Sequence, residues 1–191
     1  MKVGVLSLQG DFEAHGAALE RAGAKPVYVR EQEQLDDLHG LVIPGGESTT
    51  MLKLMEYEDL MAPIREFGRR KPMFGTCAGA ILMASVVSNP EQPALGLMDL
   101  SVERNAYGRQ IDSRVVRIEP EPEFAERTAA GPIEAVFIRA PIIRQLGGEA
   151  KVLARYNGDP VLVEQGKHLV ATFHPELTQD SRVHRYFLEK L

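Results

Sequence analysis

Between residues 2 and 77, short β-branched and apolar runs alternate with helical patterns, and that alternation leaves very few architectures open. KVGVLSL reads as a strand, FEAHGAALERAG as a helix closed by Gly23, and KPVYVR and HGLVIPGG as further strands. Ser48 stands where an N-cap for TTMLKLME is needed, and DLMAPIREFGRR is a helix leading into the strand KPMFGTC. Strands joined through helices run parallel, so the pattern implies an α/β fold, a mixed, mostly parallel sheet with helices on both faces. From about residue 97 the pattern changes to LMDLSVER, SRVVRIEP, AVFIRAP and KVLARYNGDPVLVEQGKHLVATF, strands joined by turns such as Asn157-Gly158-Asp159-Pro160. These are expected to extend the same sheet antiparallel. EPEPEF at 119–124 reads as a solvated loop and SRVHRYFLEKL as a closing amphipathic helix. No linker, composition shift or internal repeat divides the 191 residues, so a single domain over 1–191 is expected.

The chain contains one cysteine, Cys77, in KPMFGTCAGAILM, with Gly75 before it and Gly79 after it. A lone cysteine is ordinarily a small packing residue. In an open α/β sheet, however, ligands bind at the carboxyl ends of the strands, and Cys77 falls there. G-T-C-A-G has the glycine spacing of a nucleophile elbow, in which a sharp strand-to-helix turn lifts the central side chain out of the sheet. A helix beginning beneath the sulfur favours the thiolate.

A nucleophilic thiol needs a base, and the base an orienting group. Of five histidines, His174 in LVATFHPEL ends a strand and is followed by Pro175 and Glu176. Proline disfavours the helical region for His174, so 174 and 176 are expected in an extended stretch where alternate side chains share a face, with Glu176 holding the ring. His15 and His184 lie in helical patterns and His39 and His168 flank turns; all four are expected to be solvated or packing residues. After the strand GLVI, Pro44-Gly45-Gly46-Glu47-Ser48-Thr49 exposes backbone N–H groups. It lacks the lysine of a phosphate-binding loop, and an oxyanion hole made by the N–H groups of Gly46 and Ala78 suits acyl transfer better.

Several function classes are excluded early. Twenty-two basic against 27 acidic residues give a formal charge of −5, with no positive field for nucleic acid. A single cysteine forms no intrachain disulfide, which fits a reducing compartment. The first residues are too short an apolar run for a signal sequence, and Ala78–Val87, the longest mostly apolar run, falls far short of a membrane span. A cytoplasmic protein without membrane association is expected.

Together, the thiol, His-x-Glu and diglycine loop resemble the class I glutamine amidotransferases, whose Cys-His-Glu triad on a flavodoxin-like three-layer sandwich releases ammonia from glutamine. The family's usual elbow is G-x-C-x-G-x-Q, whereas Ile81 stands at the position of that Gln. The departure points to one branch of the family. GVLSLQGDFEAH, IPGGESTTM, KPMFGTCAGAILM, VERNAYGRQIDS, FIRAP and TFHPELT, spread over residues 4–178, are similar to the glutaminases that feed ammonia to a pyridoxal 5'-phosphate synthase subunit. The resemblance implies Cys77, His174 and Glu176 as the triad. It also implies L-glutamine contacts from Gly46-Glu47-Ser48, Arg104, Ile138 and Arg139, a partner in the form of a separate synthase subunit, and no metal or organic cofactor. Charge agrees, since arginine grips a carboxylate and Glu47 suits an ammonium. Gln9, at a strand end near the same sheet edge, is the residue expected to couple partner docking to the diglycine loop. The triad by itself also admits a cysteine peptidase or γ-glutamyl hydrolase, and the fold a non-catalytic regulatory subunit.

Overall fold

The computed structural model of the chain describes residues 1–105 and 113–191. Strand β1 (Lys2–Leu6) leads into helix α1 (Phe12–Ala22), which Gly23 closes in the left-handed conformation at φ 96°. β2 (Lys25–Val29), β3 (Gly40–Ile43), α2 (Ser48–Tyr57), α3 (Met61–Arg70) and β4 (Met73–Thr76) follow, then α4 (Ala78–Met83) and β5 (Ala84–Ser88). The apolar run from 78 to 87 is thus half helix and half strand: Ala, Leu and Met favour the first half, while β-branched Val86 and Val87 favour the second. β6 (Met98–Glu103), β7 (Ser113–Ile118), α5 (Pro122–Arg127), β8 (Ile133–Ile138), β9 (Ile142–Leu146), β10 (Lys151–Tyr156), β11 (Asp159–Gln165), β12 (His168–Ala171) and α6 (Arg182–Leu188) complete the chain. Among the described residues no helix is long and apolar enough to cross a membrane.

A seven-stranded sheet in the order β10-β11-β12-β4-β3-β1-β2 forms the centre. From β12 to β2 every neighbouring pair is parallel; β10 and β11 extend that edge antiparallel. β3, β4 and β12 are buried at every residue, as strands covered on both faces must be. Side-chain alternation sends neighbours to opposite cores. Leu41, Ile43 and Val170 pack on one side with Met51, Leu52 and Met55 of α2, Ile64 and Phe67 of α3, and α4. Val42, Leu169 and Ala171 pack on the other with Leu19 of α1, Phe124 of α5 and Tyr186 and Phe187 of α6. The result is a three-layer α/β sandwich with helices on both faces of a mixed, mostly parallel sheet.

Three expectations need correction. Only β10, β11 and β12 of the later strands join the central sheet; β6 pairs with β5 and β9 in a three-stranded sheet, and β7 with β8 in a hairpin. Local strand patterns carry no information on which edge a strand joins, and β5 and β9 were not anticipated at all. The 119–124 stretch is a solvated loop only in its first half: Pro122 starts α5, where its missing N–H costs nothing, and Phe124 is fully buried. Finally, Ser48 is the first residue of α2 and not its cap. Glu47 caps it, its carboxylate accepting from the N–H groups of Thr49 and Thr50 and from the Thr50 hydroxyl at 3.1, 2.7 and 2.7 Å. Its longer side chain reaches all three donors at once, and its negative charge suits the helix N-terminus.

Candidate active site

Four parallel strands release their chains at one edge of the sheet, and each contributes to a single pocket. After β4 comes Cys77, at φ 47° and ψ −102°, a conformation that L side chains rarely adopt. Its N–H still donates to Ala171 O at 2.9 Å, so the turn begins without leaving the β12 ladder. Both flanking glycines are required by space. A Cβ on Gly75 would lie 2.6 Å from the carbonyl of Gly79, and one on Gly79 would lie 2.1 Å from the carbonyl oxygen of Ile43. The strand-to-helix elbow anticipated from G-x-C-x-G is the geometry observed.

After β12 comes His174, whose N–H donates to Val136 O at 2.8 Å and whose Nδ1 lies 2.7 Å from Glu176 Oε1. The pair meets, but not along an extended strand. Pro175–Leu177 form a 3₁₀ turn, and Glu176 folds back beneath the ring. Proline keeps His174 itself non-helical, at φ −107° and ψ 85°, and then serves as the first residue of the turn. Burial alone would lower the His174 pKa, but the neighbouring Cys77 and Glu176 hold it up at about 10. Cys77 and Glu176 thus both favour the protonated form of the ring. Burial pushes Glu176 up, opposed by its bond to His174.

The pocket these loops enclose has a volume of about 310 Å³. Cys77, His174, Gln9, Gly46, Glu47, Ser48, Arg104, Ile138 and Arg139 all line it; of the residues singled out, only Ala78 and Glu176 do not. Ala78 is buried as the first residue of α4, and Glu176 lies buried behind His174. Gln9 Oε1 accepts from the Glu47 N–H at 3.0 Å, and its amide fills the space where a Gly46 side chain would stand, 2.4 Å from a Cβ placed there. Arg104, only 11% exposed, donates from Nη2 to Thr49 Oγ1 at 2.6 Å and lies 3.5 Å from Glu47 Oε1. Arg139 follows β8 at φ 44°, a second strained residue on the pocket wall. The remainder of VERNAYGRQIDS, residues 106–112, lies outside the described residues.

Glu47 is not the free partner for an ammonium that its charge implied. Burial would raise its carboxyl, yet the donors from Thr50 and Thr49 hold it at about 2, so both oxygens are already committed to the start of α2. Inspection of residue types also passed over Asp11, whose Oδ2 lies 3.5 Å from His174 Nδ1, and Thr76 beside the cysteine. Their one clue was position, a polar residue just past or at the end of a parallel strand. Asp11, His174 and Glu176 bring ligand-type atoms within 4.8 Å of one another. His174 Nδ1, the atom nearest the two carboxylates, is already hydrogen-bonded to Glu176, so hydrogen bonding accounts for the cluster. His15 and His184 are both fully buried, as packing residues are, with ring centroids 5.2 Å apart.

Comparison with known proteins gives a consistent result along the chain. The model of the SNO glutamine amidotransferase family matches residues 5–191. A relative from Solibacter usitatus, named pyridoxal 5'-phosphate synthase subunit PdxT, is 68% identical over 190 residues, covering 100% of this chain and 99% of its own. A Thermotoga maritima protein of the same name is 47% identical, over 99% of this chain and 98% of its own. Among solved structures, one described as a glutamine amidotransferase superposes with a TM-score of 0.89 at 48% identity, covering 98% of this chain and 97% of that one. A chain of PurLQS from Thermotoga maritima, at 19% identity and a TM-score of 0.72 over 98% of this chain and 97% of that one, shares the fold.

Proposed function

The chain belongs to the SNO glutamine amidotransferase family, and from that premise we propose that it is the glutaminase subunit of a pyridoxal 5'-phosphate synthase. It hydrolyses L-glutamine to L-glutamate and ammonia and passes the ammonia to a separate synthase subunit. The full-length likeness to relatives bearing that name supports this reading. So does a pocket of amino-acid size. The reading takes 1–191 as one domain, supported by the family match to 5–191, and a cytoplasmic location, supported by a lone free cysteine.

The observation that carries the chemistry is Cys77, held in a strained elbow on the pocket wall beside His174, with Glu176 2.7 Å from the imidazole. His174 takes the thiol proton of Cys77 as the sulfur attacks. Cys77 Sγ adds to the side-chain carbonyl carbon of glutamine, and the C=O electron pair moves onto oxygen, where the N–H groups of Gly46 and Ala78 receive it. Such donors are worth roughly 3 to 4 kcal/mol each. His174 gives its proton to the amide nitrogen, the C–N bond breaks, and ammonia leaves a thioester on Cys77. His174 then takes a proton from water as the oxygen adds to the thioester; the C–S bond breaks, the leaving sulfur takes that proton from His174, and glutamate departs with the thiol and the neutral ring restored. Arg104, Arg139 and the 46–48 loop bind the amino-acid end of the substrate.

The isolated subunit is a poor glutaminase, and docking to the synthase selects the loop conformation in which Gly46 faces the oxyanion. Gln9 transmits docking because its amide already holds the loop at the Glu47 N–H. Ammonia release at saturating glutamine tests all of this in four samples: the isolated chain, the chain with synthase subunit, and the Gln9→Ala and Cys77→Ala variants with synthase subunit. The assembly is expected to be fast, the isolated chain slow, Gln9→Ala impaired, and Cys77→Ala inactive though folded and able to bind glutamine. Full activity in the isolated chain sinks the activation scheme. Inactivation by a thiol-directed glutamine analogue that leaves Cys77 unlabelled sinks the nucleophile assignment.

A further inference from the structure

His15 sits on α1, fully buried, and touches two of the loops that build the site. Its Nε2 lies 2.9 Å from Thr76 Oγ1, on the residue next to Cys77, and 3.4 Å from Glu176 Oε2. Glu176 Oε1 is the oxygen that holds His174, and Oε2 has no hydrogen-bond partner of normal geometry among the described residues. On its other side, His15 Nδ1 lies 3.0 Å from Nε2 of His184, also fully buried. The remaining nitrogen of that second ring, His184 Nδ1, is likewise without a partner among the described residues.

We propose that His15, locked by His184, is a positioning residue for the glutaminase reaction: it donates its Nε2–H to Thr76 and toward the outer oxygen of Glu176, and so fixes the carboxylate that orients His174. This deepens the glutaminase reading and rests on it.

The direction of donation follows from counting protons. Two neutral imidazoles sharing one hydrogen bond have two arrangements. In one, His15 donates from Nδ1; its bare Nε2 then turns a lone pair toward a carboxylate oxygen, and His184 must carry its proton on Nδ1, a buried donor with no acceptor. In the other, His184 donates from Nε2, its orphan atom is only a lone pair, and His15 carries its proton on Nε2, facing Thr76 and Glu176. A buried unpaired N–H and a lone pair against an anion both cost free energy that the second arrangement avoids. Both rings are held neutral, burial lowering His184 to about 3 and His15 well below its ordinary value. A protonated His15 would compete with His174 for Glu176, whereas a neutral N–H steadies the carboxylate without neutralising it. Because the same ring meets Thr76, it also sets the spacing between the segment bearing the thiol and the acid behind the base.

Glutamine turnover by the chain assembled with its synthase subunit tests the role, comparing wild type, His15→Gln, which keeps an N–H near the Nε2 position, and His15→Phe, which keeps the volume without the donor. By analogy with other residues that orient a catalytic group through a hydrogen bond, His15→Phe is expected to lower kcat by ~10- to 100-fold, with KM within ~twofold. His15→Gln should recover most of the loss. In a Glu176→Gln background, His15→Phe should cost less than ~threefold more, since its effect runs through the carboxylate. Equal losses in His15→Phe and His15→Gln, or an undiminished loss in the Glu176→Gln background, overturn the proposal. A second measurement needs neither substrate nor variant: long-range proton–nitrogen NMR of the wild-type chain should find His15 as the Nε2–H tautomer, and an Nδ1–H tautomer overturns the proposal whatever the assays give. Wild-type assembly that releases no ammonia from glutamine would instead bring down the glutaminase reading, and the tautomer would still decide the hydrogen-bond arrangement.

Discussion

Gly45→Ala should cost the enzyme most of its turnover while leaving its fold intact. Gly45 lies outside the positive-φ residues, so an alanine fits its backbone. The new Cβ would stand 2.3 Å from Cε1 and 2.8 Å from Nδ1 of His174, about 1.1 Å short of the 3.4 Å where ordinary contact begins. The loop cannot retreat. Its carbonyl accepts from the Asp11 N–H at 3.1 Å, and Gly10 is packed so closely behind that a Cβ there would meet Gly45 O at 1.8 Å. The imidazole must move instead, and with its backbone held by Val136 and its Nδ1 by Glu176, any rotation either stretches the 2.7 Å bond or swings the ring away from Cys77. A displacement of about 1 Å at a reacting group costs ~100-fold, or about 2.7 kcal/mol of barrier. The assay is kcat for glutamine hydrolysis by the synthase-bound variant, beside its thermal unfolding curve. Gly158→Ala is the control, since its φ of 88° disfavours alanine but a Cβ there meets nothing within 4 Å. Turnover within ~threefold of wild type in a folded Gly45→Ala protein would refute the claim that His174 has no room to shift.

Other outcomes follow from the same geometry. Arg104→Ala and Arg139→Ala should each raise KM for glutamine by ~10- to 150-fold, the loss of a charge-assisted contact of about 1.5 to 3 kcal/mol. Arg70→Ala, which removes only an exposed 3.4 Å pairing with Glu66, should leave KM nearly unchanged; equal behaviour of all three would return Arg104 and Arg139 to surface charges. The Glu47 carboxyl is held at about 2 in the folded chain against an ordinary 4.5, so its stabilisation is full above 4.5 and drains away as pH falls toward 2. Urea unfolding should show the gap between wild type and Glu47→Gln closing over that window, and a gap constant from about pH 6 to about pH 2.5 would contradict the capping role. Phe124→Ala should cost ~3 to 5 kcal/mol of stability by denaturant titration, and a cost below ~1 kcal/mol would mean that α5 does not anchor the second core.

Much of the molecule could be read from residue order because local signals and global demands agree there. β1, β3 and β4 each carry a buried apolar run between turn residues, and Gly75 and Gly79 announced a turn that space then requires. What escaped reading was decided at a distance. Nothing local in IIRQL says that it pairs with β6, or in SRVVRI that it leaves the central sheet for β8. EPEPEF looked solvated because five of its six residues are charged or proline, yet Phe124 alone settles the matter by reaching the core. His174 and Glu176 were paired correctly for a mistaken reason, an extended strand instead of a 3₁₀ turn. Glu47 looked like a ligand for positive charge until the helix behind it claimed its oxygens. His15 carried no visible sign, since a histidine on an apolar helix face differs from a packing residue only by what lies across from it.

The strand order has a consequence for when in its life the chain acquires chemistry. β4, which ends at Thr76, takes one neighbour from β3, made earlier, and the other from β12, made near the end of synthesis. In a ribosome-bound chain that has emerged only through β9, the strand whose Ala171 carbonyl accepts the Cys77 N–H does not yet exist, and neither do His174 and Glu176 beyond it. Long-range closures of this kind form late and set the pace of folding. Under the proposed triad, an unfinished or carboxy-terminally clipped chain would keep an unpartnered thiol without its base, and the site would be completed only when residues 168–176 take their place between β4 and β11. The order of translation would then keep thiol and base apart until the last central strand is made.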